Sequence, residues 1–193
     1  MNLQFYDDMI PGTRLRRAEM DNLTGLAFLR KVFFISDGVM LTQIREISGI
    51  DSSTLQNWTK RGWVASSRAK RYNMDQVAHI LIINMLRSCM QLDRISFLIR
   101  YVNGDLEDTS DDIISDSVLY DYICKILSHM MENRTCALSD VRKTVESFTE
   151  DYVEPFDGAE ERLNSALEII VVTYYAAVIK RHAEGLLDKL ESV

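Results

Sequence analysis

Proline is almost missing from this sequence, at two residues in 193, and glycine contributes only eight. So few breakers leave long stretches free to run as helix, and the apolar residues recur with a helical period. No stretch alternates cleanly enough to be read as a sheet. Cysteine is scarce too. Cys89, Cys124 and Cys136 are odd in number, far apart and set in apolar helical contexts. That spacing argues against a disulfide framework or a paired metal site and predicts buried, reduced thiols. A glycine-rich phosphate loop, a nucleophile elbow and a zinc signature are also absent. His79, His129 and His182 fall on three separate predicted helices, with no Cys, Ser or carboxylate beside them in a catalytic motif. Catalysis, a bound metal and a cofactor are therefore not expected. Asp7 and Asp8 near the start of the chain argue against a signal peptide. The most apolar run, residues 166–179, contains Glu168. It falls short of the roughly 20 residues that a membrane span needs. The expected location is the cytoplasm.

What is present is an ordinary apolar fraction of 47%, enough to bury a core. The length suits one domain of about 150 residues or two small ones. Net charge is −7, which alone argues against nucleic-acid binding, but its distribution does not. Residues 1–41 hold five basic and five acidic residues, and residues 42–103 hold nine and four. Residues 104–193 hold eight basic and twenty acidic. A compact basic segment ahead of an acidic one suggests that only the middle of the chain faces a polyanion.

The middle is also where the most informative stretch lies: LTQIREISGIDSSTLQNWTKRGWV, residues 41–64. It reads as two short helices joined by a tight turn. Thr42 is a candidate cap for the first, Ile44 and Ile47 give it an apolar face, and Gly49 breaks it at positive φ. Asp51 is placed to cap the second, of about residues 52–61. There Leu55 and Trp58 share one side while Ser53, Gln56, Asn57 and Lys60 point elsewhere. Gly62 ends that helix. Ser66-Ser67-Arg68-Ala69-Lys70-Arg71-Tyr72 then fits a small basic hairpin, and Asn73 with Gln76 can cap the helix that follows. This is the layout of a helix-turn-helix with a basic wing.

Residues 41–103 resemble the winged helix-turn-helix domain of MerR-type transcriptional regulators. The matching elements are Ser48-Gly49-Ile50, Thr54-Leu55, Gly62-Trp63-Val64, Arg71-Tyr72 and Leu92-Asp93-Arg94-Ile95. Arg45, Ser52 and Cys89 depart from that pattern, and the stem of Arg45 is expected to run past the crossing helix. Over most of its length the chain resembles a family of domains of unknown function, number 1836, through Gln-Asn-Trp-x-Lys-Arg-Gly-Trp and the acidic Asp-Asp-Ile-Ile segment.

The expected fold is therefore mainly α, in three parts. Residues 1–40 are an N-terminal arm and a packing helix. Residues 41–103 are a MerR-like winged domain with a small β wing. Residues 104–193 are an acidic helical domain for dimerisation or effector binding. Residues 1–20 are expected to be a weakly structured arm whose Arg14, Arg16 and Arg17 are either solvated or set against a minor groove or phosphates. Helices are expected over 22–35, 75–89, 92–102, 113–132, 139–152 and 159–190. The acidic run 105–112 lacks calcium-loop spacing and reads as the start of a helix. The nearly all-round apolar run 166–179 predicts either a core helix or a homodimer interface.

The expected function is sequence-specific binding of double-stranded DNA by a transcriptional regulator. Ser53, Thr54, Gln56 and Asn57 would face base edges in the major groove. Lys60, Arg61, Arg68, Lys70 and Arg71 would hold phosphates, with Tyr72 closing the strip. Trp58 would wedge the recognition helix against Ile44 and Val77. The alternative is a winged fold used for protein contact or small-molecule sensing, with Tyr120, Tyr122, Tyr174 and Tyr175 lining an effector pocket.

Overall fold

Eight α-helices and one two-stranded sheet make up the regular structure of this computed structural model, which describes residues 8–34, 36–104, 112–133 and 137–192. In chain order these are α1 (Gly25–Val32), β1 (Val39–Met40), α2 (Leu41–Ser48), α3 (Ser52–Lys60) and β2 (Arg71–Tyr72), then α4 (Met74–Leu86), α5 (Leu92–Asn103), α6 (Asp116–Glu132), α7 (Leu138–Thr149) and α8 (Ala159–Glu191). A short 3-10 turn, Arg17–Met20, precedes α1. The mainly α expectation holds.

Local chemistry accounts for most of the boundaries. The Asp51 side chain accepts from the Thr54 N–H at 2.8 Å, capping α3. Asn73 and Gln76 cap α4 reciprocally, at 2.8 and 3.0 Å. α2 starts one residue before the expected Thr42 cap, because Met40 holds the cap position and donates its N–H to the Gln43 side chain at 2.8 Å. α7 likewise opens at Leu138, behind Ala137 rather than at Ser139. The acidic run 105–111 and Cys136 lie outside the described residues. α6 begins after them, on the Ser115 hydroxyl, which accepts from the Val118 N–H.

One hydrophobic cluster runs from Ile10 to Val178 and unites the helices. α4 is at its centre. Every residue from Val77 to Ile83 is buried, and the helix packs against both α6 and α8. α8 is 33 residues long, and by length and composition alone it could cross a bilayer, with mean hydropathy 1.3 over its best window. More than half of that window is buried inside the fold, so the run 166–179 is mostly a core helix. The apolar surface α8 leaves bare comprises Ile169 and Ile179 within that run and Leu186, Leu187 and Leu190 beyond it.

The N-terminal arm differs from its expectation. Ile10 is fully buried, and Gly12 presses so closely on α4 that a Cβ there would come within 2.3 Å of the Leu81 carbonyl oxygen. Asn84 of α4 donates to the carbonyls of Gly12 and Ser48, at 2.8 and 3.0 Å, and Tyr120 donates to that of Pro11 at 2.7 Å. Arg14 reaches the Glu46 carbonyl at the end of α2, at 2.7 Å, and Arg17 donates to Ser128 of α6 at 2.9 Å. These arginines tie the N-terminal segment to α2 and α6. Cys89 is exposed in the turn after α4, unlike the buried thiol expected, whereas burial pushes Cys124 up to about 12. Tyr120, Tyr174 and Tyr175 are core residues, and Tyr122 is partly buried against the same core.

Candidate nucleic-acid interface

α2 and α3 meet at Gly49, whose φ of 73° turns the chain after a single residue. Ser48 makes the turn compact. Its buried hydroxyl donates to the Ile44 carbonyl at 2.6 Å and accepts from the Ile50 N–H at 3.1 Å. Arg45 lies exposed. α3 is anchored by Leu55 and Trp58, each only 1% exposed. The Arg87 guanidinium lies 5.5 Å from the Trp58 ring centre. Its other end closes with paired bonds, Gly62 N–H to Thr59 O at 3.1 Å and Trp63 N–H to Trp58 O at 3.0 Å.

With Leu55 and Trp58 turned in, Ser53, Gln56, Asn57 and Lys60 form an exposed polar stripe. The Ser53 and Thr54 hydroxyls both donate to Asp51, and those bonds hold the Asp51 carboxyl well below the ordinary carboxylate range. Among the described residues, the side chains of Gln56, Asn57, Lys60 and Lys70 have no hydrogen-bond or ion-pair partner.

The hairpin is tighter than expected. Arg68 and Arg71 exchange backbone bonds at 3.0 and 2.9 Å around Ala69 and Lys70, whose φ values are 50° and 62°. Two left-handed residues in a two-residue loop make a type I′ turn, here without the usual Asn or Gly. β2 then pairs antiparallel with β1, Tyr72 opposite Val39 and Arg71 opposite Met40.

This geometry divides the expected basic strip. Lys70 lines a groove of about 450 Å³ together with Gln56, Thr59 and Lys60 of α3, so helix and hairpin meet across it. Arg68 and Arg71 line a different depression, shared with Phe33 and residues 36–38. Arg71 is engaged there, donating to the Ser36 hydroxyl and the Gly38 carbonyl, both at 2.8 Å. Arg61 is exposed, its guanidinium 5.0 Å from the Trp63 ring centre. Tyr72 is only 7% exposed and packs into the core, while its remaining surface lines both the groove beside α3 and the depression beside residues 36–38.

One polar centre is not visible in the sequence motifs. His79 of α4 is 4% exposed. It faces the Asp116 carboxylate through Nδ1 at 2.8 Å and the Trp63 carbonyl through Nε2 at 2.9 Å. Both partners are acceptors, so both ring nitrogens must carry protons. Burial opposes that charge, yet Asp116 and the Trp63 carbonyl prevail and raise the His79 pKa. A histidine within an otherwise apolar helix is the signal that a buried partner exists; its spacing of 37 residues from Asp116 hides which one.

A protein of Bacillus subtilis (strain 168), described as uncharacterized protein YkrK, is 22% identical over 158 residues, covering 79% of this chain and 68% of its own length. No solved structure matches. The family model for a domain of unknown function, DUF1836, matches residues 26–123, from α1 through the helix pair, hairpin and seam to the first half of α6, and the chain belongs to that family.

Proposed function

We propose that this protein is a sequence-specific DNA-binding regulator of the MerR-like winged helix-turn-helix type. α3 enters the major groove, where Gln56 and Asn57 read base edges with Ser53 and Thr54 beside them, and Lys60 and Lys70 take phosphates. The observation that carries this reading is the groove joining Gln56 and Lys60 of α3 to Lys70 of the hairpin, all without intrachain partners among the described residues. A polar stripe flanked by unpaired cations is what base readout combined with backbone anchoring requires. The basic excess of residues 42–103 supports it. Selection of bound sequences from a random duplex library tests it. An enriched motif is expected, and recovery of no motif, with retention insensitive to sequence, removes the claim of specificity.

The functional unit in this reading is a cytoplasmic homodimer joined through the far end of α8. Ile179, Leu186, Leu187 and Leu190 recur there at helical spacing on one exposed side. Sedimentation of the full chain should give twice its 22.2 kDa mass, falling to the single mass in Leu187→Glu. A wild-type protein already at 22.2 kDa defeats the dimer.

A further inference from the structure

A cavity of about 290 Å³ lies where the root of the hairpin, α4, the end of α5 and the start of α6 converge. It is distinct from the groove along α3 and belongs to the seam behind it. Its wall carries both signs of charge. Arg68 and Arg100 contribute guanidinium groups, and Asp75 and Asp112 contribute carboxylates. Arg100 makes one bond, to its own helix at Ser96, and Arg68 has no side-chain partner among the described residues.

Asn103 supplies the decisive feature. It is 8% exposed and lines the cavity. Its amide Nδ2 donates to Asp116 Oδ1 at 3.1 Å, and because a carboxylate there can only accept, the amide cannot be turned round. Among the described residues, that leaves Asn103 Oδ1 buried with no hydrogen-bond partner. An orphaned buried acceptor costs the full desolvation of the group, so it calls for a donor from outside the chain. Of the neighbouring groups among the described residues, His79 and Asp116 bond to each other, and one Asp75 oxygen accepts from the Ser117 N–H at 2.9 Å, which leaves the other Asp75 oxygen open.

We propose that this cavity binds a small zwitterion of the amino-acid type. Its carboxylate would face Arg68 and Arg100, and its ammonium group would donate to Asn103 Oδ1 beside Asp75. A cavity near the lower end of the range for ligand sites suits a molecule of that size, and walls of both signs select one carrying both charges. The site stands on the cavity alone and is independent of DNA binding.

The test uses the full-length chain without DNA. The twenty common L-amino acids are each added at millimolar concentration, with acetate and ethylamine as singly charged controls, and are read by thermal shift and titration calorimetry. At least one amino acid should raise the melting temperature and bind saturably, while acetate and ethylamine do neither. Arg100→Met should weaken that binding by about tenfold, the worth of one charge-assisted hydrogen bond. Asn103→Leu should weaken it similarly, and Arg94→Gln, an exposed change on the same helix outside the wall, should leave it unchanged. Should Asn103→Leu fail to fold because it also releases Asp116, Arg100→Met carries the test. Absence of binding by every amino acid overturns the proposal, with a water then completing Asn103. So does binding that survives Arg100→Met.

Discussion

α3 and α4 are each capped by an Asx side chain, Asp51 in one and Asn73 in the other, and their polar residues meet opposite fates. α3 buries two residues and turns the rest outward, where Gln56, Asn57 and Lys60 find no partner within the described chain. α4 buries nine, and its one ionisable buried side chain, His79, is bonded on both sides. Polar groups left unpaired on a surface are available to another molecule, whereas polar groups paired inside serve the fold. The contrast separates a surface open to another molecule from a scaffold that holds it. It can be broken from either side.

The largest effect belongs to the buried side of α3. Trp58→Ala removes a ring that is 1% exposed and leaves a cavity beneath the helix, at a cost of about 3–5 kcal/mol. Melting temperature and DNA affinity should fall together. If stability stays at the wild-type level, α3 is not held through Trp58, and its polar stripe does not face outward as described.

Next comes the paired histidine of α4. Its folded pKa is raised above the unfolded value, so its stabilising contribution is complete below about pH 6.5 and is lost as pH rises through the folded pKa. Melting temperature should therefore decline as pH is raised above that value, and His79→Gln should flatten the decline. Equal slopes in both proteins would show that His79 binds protons equally in the folded and unfolded states, so that its pKa is not raised by folding.

These differences also mark how far the sequence could be read. Gly49, Asp51 and the Asn73–Gln76 pair act through neighbours within three or four residues, so the turn and both caps were legible. So were the helices, since the period of their apolar residues survives burial. What escaped depends on contacts distant in sequence. Ile10, Pro11 and Gly12 look like part of a weakly structured arm until α4 and Tyr120 close over them. Arg71 and Tyr72 look like members of one basic strip. A two-residue turn with no glycine or asparagine gave no sign that Arg71 would fold back onto Gly38, with Lys70 alone from the turn left on the α3 side. The partition of the candidate site was invisible for that reason, although its members were not.

On the open side of α3, Asn57→Ala should relax preference at one or two base pairs. The cost should be about 1–3 kcal/mol on the selected sequence and little on random duplex, with unchanged melting temperature. Equal losses on both kinds of DNA would make Asn57 a backbone contact.

The smallest effect sharpens the comparison most, because it separates charge from shape within the same hairpin. Lys70→Ala removes a cation on the α3 groove and, by deleting one phosphate contact, should flatten the plot of log affinity against log salt by about one unit. Ala69→Gly keeps every charge and places glycine where φ is 50°. Left-handed backbone costs a non-glycine residue roughly 1–2 kcal/mol, so this change should stabilise the fold slightly, or at worst leave it unaltered, with no change in the salt slope. Arg71→Ala behaves differently from both. Its guanidinium is engaged with Ser36 and Gly38, so the main expected result is a lower melting temperature, with the salt slope near that of the wild type. A one-unit loss of slope in Arg71→Ala and none in Lys70→Ala would reverse the assignment. The DNA backbone would then run over the depression beside residues 36–38, and the groove between α3 and the hairpin would not be the contact surface.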